Sequence, residues 1–206
     1  MNKLIQCFLQ ESIGAALTDD ELLKYEVPEE TAKRFPYYLS GYDYEGAPIW
    51  IWELGKWDFV PTITNGGEEL EAANKATDQM FLRFRKSGKD APDQQGFNVI
   101  MDMDGYTLSK AVDVRALGVV LGKFRKFGEL LKSADLKHGW IVNVNAIFES
   151  VLRLGAPLVG NTRANFEVHG TNPAKWKPAL LKDLPKDQIP EWYGGEPGFA
   201  PVKVYG

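Results

Sequence analysis

FNVIMDMDGYTLS, residues 97–109, is the stretch of this sequence around which the rest of the chain is organised. The largely apolar run from Asn98 to Met103, with Asp102 as its one interruption, predicts a buried strand. The turn signal Asp-Gly follows at residues 104–105. We therefore expect a strand that meets an edge of its sheet at this turn.

Two segments before this strand have a clear periodicity. Ala47–Leu54 predicts a strand in which Trp50 and Trp52 alternate with other residues, so that both tryptophans lie on one face. Because a buried tryptophan contributes about 200 Å², that face covers either a core or the wall of a pocket. A long helix is expected over Glu68–Ser87, with Gly88 as its stop.

Beyond the central strand, the sequence predicts a second long helix over Ala111–Ala134 and a further strand over Trp140–Val144. Such a strand, helix, strand unit favours parallel strands with a right-handed crossover. The next segment, AIFESVLRLGAPLV at Ala146–Val159, carries only Glu149 and Arg153 as charges. Its proline and glycines stand at one end of the predicted helix, where they give it a defined place to swing.

Composition indicates an ordinary soluble globular chain with room for one domain. Its 206 residues are 44% hydrophobic, 25% charged and 12% aromatic. The formal net charge of −4 disfavours a nucleic-acid partner, since a phosphate backbone would be repelled. We interpret the basic clusters Arg83–Lys86 and Lys123–Lys126 as solvated helix faces, with contact to an anionic membrane surface as the alternative.

The single cysteine, Cys7, excludes an internal disulfide and favours the cytosol. No uninterrupted apolar run reaches about 18 residues, and no basic segment leads into an apolar one at the amino terminus. We therefore expect neither a transmembrane span nor a secretory signal, and a cytoplasmic protein that meets membranes from outside.

Two functions of different classes compete for the end of the central strand. The order Asp102, any residue, Asp104, Gly is similar to that of haloacid-dehalogenase phosphatases, in which the first aspartate is the nucleophile, the second an acid and base, and Mg²⁺ shields the phosphate. Such an enzyme also needs a downstream acidic pair for the metal, and the later aspartates fall on no predicted strand end. In the second hypothesis the strand is part of a lipid pocket, and Met101 and Met103 face the ligand.

Four stretches occur in an order that resembles the CRAL-TRIO lipid-binding domain, the family of cellular retinaldehyde-binding, tocopherol-transfer and yeast phosphatidylinositol-transfer proteins. They are GYDYEGAPIWIWELGKWD at Gly41–Asp58, the central strand with its turn, the strand and apolar helix of Trp140–Val159, and LPKDQIPEWYGG at Leu184–Gly195. The resemblance implies an α/β fold, in which a mixed, mainly parallel sheet floors an apolar lipid cavity and is surrounded by helices with one mobile lid helix. It divides the chain into a short remnant of the family's helical amino-terminal domain at residues 1–24, the lipid-binding domain at 25–195 and a tail at 196–206.

The resemblance also implies where a ligand binds. The lid helix falls on Ile147–Val159, and Ser109 is the polar group that orients a ligand hydroxyl or carbonyl. Methionines suit the wall because they adapt to irregular ligand shapes. The implied ligand-binding residues are Trp50, Trp52, Phe81, Phe84, Met101, Met103, Ser109, Leu117, Val120, Leu121, Phe124, Trp140, Val142, Phe148, Val151 and Leu152.

Departures from the family pattern bear on the ligand class. The usual Tyr-Pro-Glu before the third strand is replaced by Ser133–Asp135, and the usual Asn-Ala-Pro after it by Asn143–Ala146. Asn165 stands where phosphatidylinositol-binding members place a lysine. The loss of this cation and of the glutamate favours a neutral ligand, such as a retinoid, tocopherol, carotenoid or other isoprenoid, over a phosphoinositide.

We therefore predict a lipid-binding protein rather than an enzyme, which carries or stores its ligand and exchanges it in transient contact with a membrane when the lid opens. No cofactor besides this lipid, and no catalytic or metal-ligating residue, is assigned. The first alternative is a protein-binding adaptor of the same fold, with a vestigial cavity refilled by side chains. The second is the Mg²⁺-dependent phosphatase.

Overall fold

The computed structural model describes residues 17–130 and 135–206. Residues 1–16 and 131–134 lie outside the described part of the chain. The predicted amino-terminal segment as far as residue 16, Cys7 within it, and the predicted helix end at Ala134 therefore fall outside these ranges.

Helices and strands follow one another in groups of one or two along the described chain. The helices are α1 (Asp19–Lys24), α2 (Glu29–Arg34), α3 (Val60–Asn65), α4 (Gly67–Asp90), α5 (Leu108–Val112), α6 (Val114–Leu130), α7 (Ala146–Gly155) and α8 (Pro173–Asp183). The strands are β1 (Tyr37–Tyr42), β2 (Pro48–Trp52), β3 (Phe97–Asp102), β4 (Leu136–Val144), β5 (Phe166–Gly170) and β6 (Lys203–Tyr205). Of the described helices, none combines the length and the apolar character that crossing a membrane requires.

The six strands form one sheet in the order β5-β4-β3-β2-β1-β6. β2, β3, β4 and β5 are parallel, whereas β1 runs antiparallel to both β2 and β6. In the register, Trp52 pairs with Met101, and Met101 pairs with Ile141. The predicted mixed, mainly parallel sheet is confirmed, although β4 begins at Leu136, earlier than the predicted Trp140.

Apolar side chains cover both faces of the sheet, as is usual where parallel strands form the middle of three layers. Helices α4, α6 and α7 pack on one face, which we call the crossover face, against Trp50, Val99 and Met101. Helix α8 and Leu184–Gly195, which we call the closing segment, pack on the other face, which we call the α8 face, against Ile100 and Trp140. Every residue of β3 is buried, so successive side chains of this strand belong to opposite cores.

The structure differs from the prediction for both long helices. Helix α4 continues through Gly88 to Asp90. A Cβ on Gly88 would lie 2.6 Å from the Gly96 carbonyl carbon, so glycine is needed where the helix approaches the turn before β3. The second long helix is divided at Asp113, whose carboxylate accepts backbone N–H groups two and three residues later, at 2.9 and 3.0 Å, and so caps the start of α6.

Candidate functional site

Most of the predicted ligand-binding residues lie together on the crossover face. Helical periodicity turns one stripe of α4, α6 and α7 towards the sheet, and alternation along β2 and β3 turns every second side chain towards those helices. The side chains brought together are Trp50, Trp52, Phe81, Phe84, Met101, Met103, Leu117, Val120, Leu121, Phe124, Phe148, Val151 and Leu152. Their part in ligand binding stays a prediction.

Three predicted ligand-binding residues lie elsewhere. Trp140 and Val142 belong to the core of the α8 face, so their assignment to the pocket is wrong. The residue between them, Ile141, is the one that lies on the crossover face. Ser109 does not line the crossover face either. Its side chain is exposed at the start of α5, with its Oγ 2.8 Å from Thr107 Oγ1. The wall therefore lacks the polar group expected from Ser109.

Side chains fill the space between the sheet and these helices. Trp52, Phe81 and Phe127 make successive ring contacts, with centroids 5.7 and 5.1 Å apart. Beside them a gap of ≈ 10 Å³ remains, lined in part by Trp52, Phe59 and Phe124. A single water needs roughly that volume, whereas a drug-sized ligand needs about 300 Å³ or more. The crossover face is thus a packed core, and a lipid must displace side chains or a helix to enter.

Helix α7, which contains most of the predicted lid, lies closed on α6. Asn145 begins the helix, since its Oδ1 accepts the Phe148 backbone N–H at 2.9 Å. Phe148 and Val151 are buried in the core of the crossover face. Gly155 permits a close approach of the two helices, because a Cβ there would lie 2.1 Å from Cδ2 of Phe124. Its backbone is helical, with φ −81° and ψ −24°, so the glycine is required by packing.

The polar side chains of α7 are satisfied inside the helix. Ser150 Oγ donates to a main-chain carbonyl of the preceding turn, and Arg153 pairs with Glu149 at 3.0 Å. Within residues 17–130 and 135–206, no side chain of α7 makes a hydrogen bond or ion pair with another element. The adjacent Asn145 donates from Nδ2 to the Tyr106 carbonyl at 2.8 Å, which fixes the start of the helix. The rest of α7 is held to the protein by apolar side-chain contacts.

Lys123, assigned above to a solvated basic cluster, instead forms a largely buried ion pair between α4 and α6 with Asp78, whose side chain is 23% exposed. The Lys123 side chain is 11% exposed, and its Nζ lies 3.2 Å from Asp78 Oδ1 and 3.3 Å from the Asn74 carbonyl oxygen. Burial lowers the pKa of Lys123, while the negative charge of Asp78 acts in the opposite direction. The lysine also borders the residual gap. The sequence contained a signal of this burial: Lys123 follows Val120 by three residues, so both side chains lie on the apolar side of the helix.

Asp102, the proposed nucleophile of the phosphatase hypothesis, anchors the closing segment to the sheet through Tyr193. Its buried carboxylate accepts the Tyr193 hydroxyl at 2.7 Å, Asn143 Nδ2 at 2.8 Å and the Asp104 backbone N–H at 2.9 Å. Asn143 has a φ of 58°, at a point where the pairing of β4 with β5 shifts. Burial and the adjacent charge of Asp102 raise the pKa of Tyr193 well above its usual value. Within the described ranges, no three His, Cys, Asp or Glu side chains are grouped to hold a metal ion.

Comparison with known proteins extends over most of the chain. A family model described as the CRAL/TRIO domain matches residues 32–195. The SEC14 cytosolic factor of Kluyveromyces lactis is 23% identical over 179 residues, which cover 84% of this chain and 57% of that protein. The crystal structure of Sfh5 is similar with a TM-score of 0.55 and 17% identity, covering 86% of this chain and 59% of that chain. At this identity the Sfh5 match shows the fold alone, and the chain spans less than two thirds of the length of either protein.

Proposed function

The chain belongs to the CRAL/TRIO domain family, and on that premise we propose that it binds a hydrophobic lipid between the crossover face of its sheet and helices α6 and α7. It carries or stores this lipid and exchanges it in transient contact with a membrane when α7 moves aside. The name of the Kluyveromyces lactis relative describes a cytosolic factor, and we propose the same compartment for this chain.

The observation that carries this proposal is the apolar attachment of α7. A lipid that takes the place of Phe148 and Val151 exchanges one set of apolar contacts for another and leaves no polar side chain of the helix unpaired. Burial of about 400 Å² of lipid yields on the order of 10 kcal/mol before association costs. Release into water would forfeit the same energy, so exchange takes place against a membrane.

A neutral ligand fits the charges around this core. The buried ammonium of Lys123 is already compensated by Asp78. Asn165, at the position of the family's lysine, donates from Nδ2 to the Leu136 carbonyl. A phosphoinositide would bring several negative charges, and within residues 17–130 and 135–206 no buried lysine or arginine is free to meet them. We therefore propose a retinoid, tocopherol, carotenoid or other isoprenoid as the ligand class.

Native mass spectrometry of the purified chain, followed by organic extraction and an absorbance scan of the extract, tests the proposal. We expect a stoichiometric neutral lipid or chromophore. Protein purified without ligand should take up retinol or tocopherol from vesicles. A stoichiometric phosphoinositide in the extract would contradict the neutral class while leaving the carrier function intact.

Two substitutions on α7 form a matched pair for the site itself. Phe148→Asp places a charge in the core of the crossover face and should abolish retention of the lipid. Leu154→Asp changes the same helix at a side chain that is 58% exposed and should leave retention unchanged. Far-UV circular dichroism of both variants separates loss of binding from loss of folding. Equal retention by the two variants would place the ligand elsewhere.

The packed core of the crossover face favours one second candidate, a protein-binding adaptor of the same fold. In that case side chains refill the family's cavity, as they do around the residual gap of ≈ 10 Å³ beside Trp52 and Phe124. The adaptor predicts a protein that is empty after purification and takes up neither retinol, tocopherol nor phospholipid from vesicles. Those results together would replace the carrier by the adaptor.

A further inference from the structure

A cleft of ≈ 530 Å³ opens on the α8 face, at the carboxyl ends of β2, β3 and β4. Its volume is within the range of small-molecule sites. The sheet separates it from the core between α6 and α7, so neither the lipid hypothesis nor the family resemblance assigns it a role. The ends of parallel strands form one wall, and the amino-terminal half of α8 with the turn at Glu191–Tyr193 forms the other.

The strand wall is acidic, and one of its carboxylates is available to a ligand. Glu53 is paired with Lys56 at 3.0 Å, and Asp102 already accepts three hydrogen bonds. Asp104 is exposed, and its carboxylate makes no hydrogen bond or ion pair with any residue of the described chain. It therefore presents an uncompensated negative charge at the cleft.

The opposite wall is basic. Lys177 lines the cleft from α8, and its ammonium makes no ion pair with a carboxylate of the described ranges. Its recorded contact is with the Trp176 ring, whose centroid is 5.9 Å away. The first residue of α8, Pro173, lines the same wall, so the positive end of the helix faces this side of the cleft.

Aromatic side chains also line the cleft. Trp192 lines the cleft and is 58% exposed, so much of its ring is accessible to a ligand. Its ring contacts that of Tyr193, with centroids 6.0 Å apart, and Tyr193 in turn contacts Trp176 at 6.1 Å. The indole N–H of Trp176, itself a cleft residue, is buried and has no acceptor within the described part of the protein. The exposed Trp192 ring thus offers an apolar surface to a ligand in the cleft.

We propose that this cleft binds a small zwitterion, whose ammonium pairs with Asp104, whose anionic group pairs with Lys177, and whose body lies on Trp192. A ligand with one charge satisfies one wall and leaves the other charge without a partner. A carboxylate or a phosphate serves equally as the anion, so both a free amino acid and a phosphorylated amine carry the required chemistry.

Isothermal titration calorimetry with the unaltered chain separates these ligands. The probes are L-leucine and phosphoethanolamine, with 3-methylbutylamine and 4-methylpentanoate as the single-charge analogues of leucine. We expect at least one zwitterion to bind, up to about fivefold tighter than either single-charge analogue, because each lost charge pair at a solvent-exposed side chain is worth up to roughly that factor. Binding of leucine alone assigns an amino acid, and binding of phosphoethanolamine alone assigns a phosphorylated amine. If neither zwitterion binds, or if the single-charge analogues bind equally well, the proposal is overturned.

Substitutions then place the bound probe. Asp104→Asn and Lys177→Gln should each weaken its binding up to about fivefold. Asp90→Asn and Lys175→Gln remove the same charges at exposed positions that do not line the cleft, and should leave the affinity unchanged. In a ¹H–¹⁵N spectrum the Trp192 indole signal should shift on binding. Unaltered affinity in both cleft variants, or an unmoved Trp192 signal, would place the zwitterion outside the cleft and refute the assignment.

Discussion

Gly155 lies directly against the Phe124 ring, so close that a Cβ at the glycine would lie 2.1 Å from Cδ2 of the ring. A methyl group must therefore push α7 away from α6. We expect Gly155→Ala to lower the free energy of unfolding by about 1–3 kcal/mol and to accelerate lipid uptake from vesicles, because it disfavours the closed position of α7. Urea unfolding and uptake rates measure the two effects. Ser150→Ala, on the exposed side of α7, is the control, and a Gly155→Ala variant that matched it in both assays would contradict the packing described above.

The ion pair of Lys123 and Asp78 predicts unequal effects of its two neutralising substitutions. Asp78→Asn leaves a buried ammonium without its counter-charge and should cost about 3–5 kcal/mol of unfolding free energy. Lys123→Met replaces the ammonium by an apolar side chain of similar length and should cost less than about 1.5 kcal/mol. Lys126, 3.8 Å from the same carboxylate and 44% exposed, provides the control, since Lys126→Met should change stability by less than about 0.5 kcal/mol. Equal losses for Asp78→Asn and Lys126→Met in urea would show that the pair is not buried.

Tyr37 predicts a loss of stability at alkaline pH. Burial raises its pKa from 10.0 to about 12, while Arg83, which donates a hydrogen bond to its hydroxyl, acts in the opposite direction. The folded state therefore keeps a proton that the unfolded chain loses. The resulting stabilisation is complete below pH 10 and disappears as the pH rises towards 12. In this window the contribution of Tyr37 should fall by up to about 1.4 kcal/mol per pH unit.

The difference between the unaltered chain and Tyr37→Phe isolates this contribution, since the other tyrosines titrate in both. Chemical denaturation at pH 9, 10 and 11 should show a difference that shrinks as the pH rises. Tyr44, 70% exposed, is the matched control, and Tyr44→Phe should follow the unaltered chain at every pH. A pH-independent difference for Tyr37→Phe would mean that the ionisation of this hydroxyl is not coupled to folding.

Tyr193 and Asp102 connect the closing segment to the central strand. Tyr193→Phe removes one of three donors from a buried carboxylate and should cost about 1.5–3 kcal/mol in guanidinium chloride unfolding. Tyr42→Phe, at a side chain that is 43% exposed, should be nearly neutral. A neutral Tyr193→Phe would indicate that water replaces the hydroxyl at Asp102 without loss.

The sheet and its helices were predictable because their signals are local. The apolar run before Asp104, the alternation around Trp50 and the helical spacing after Gly67 each specify an element without reference to distant residues. The division at Asp113 could also have been read from its capping chemistry. The role of Gly88 could not, since the residue it must accommodate, Gly96, is brought close only by the folded chain.

The composition of the site was less predictable than the fold. Buried parallel strands are apolar on both faces, so Trp140, Ile141 and Val142 look alike in sequence although only Ile141 lies on the crossover face. Asp78, the partner of Lys123, lies 45 residues earlier in the sequence, so no local pattern predicts the ion pair. The filled interior is likewise a property of packing between elements, which a sequence motif does not encode.

The self-contained hydrogen bonding of α7 determines how its motion can be observed. A helix whose main-chain N–H groups are bonded within itself can leave the core as a rigid body without releasing those protons to solvent. The rate of amide hydrogen exchange inside Ala146–Gly155 would then hardly change when α7 leaves the core. A side-chain label can detect this motion instead. A fluorine label on Phe148 would move from an aromatic interior to water or lipid when α7 leaves the core, and the intensities of its two resonances would give the population of the open state.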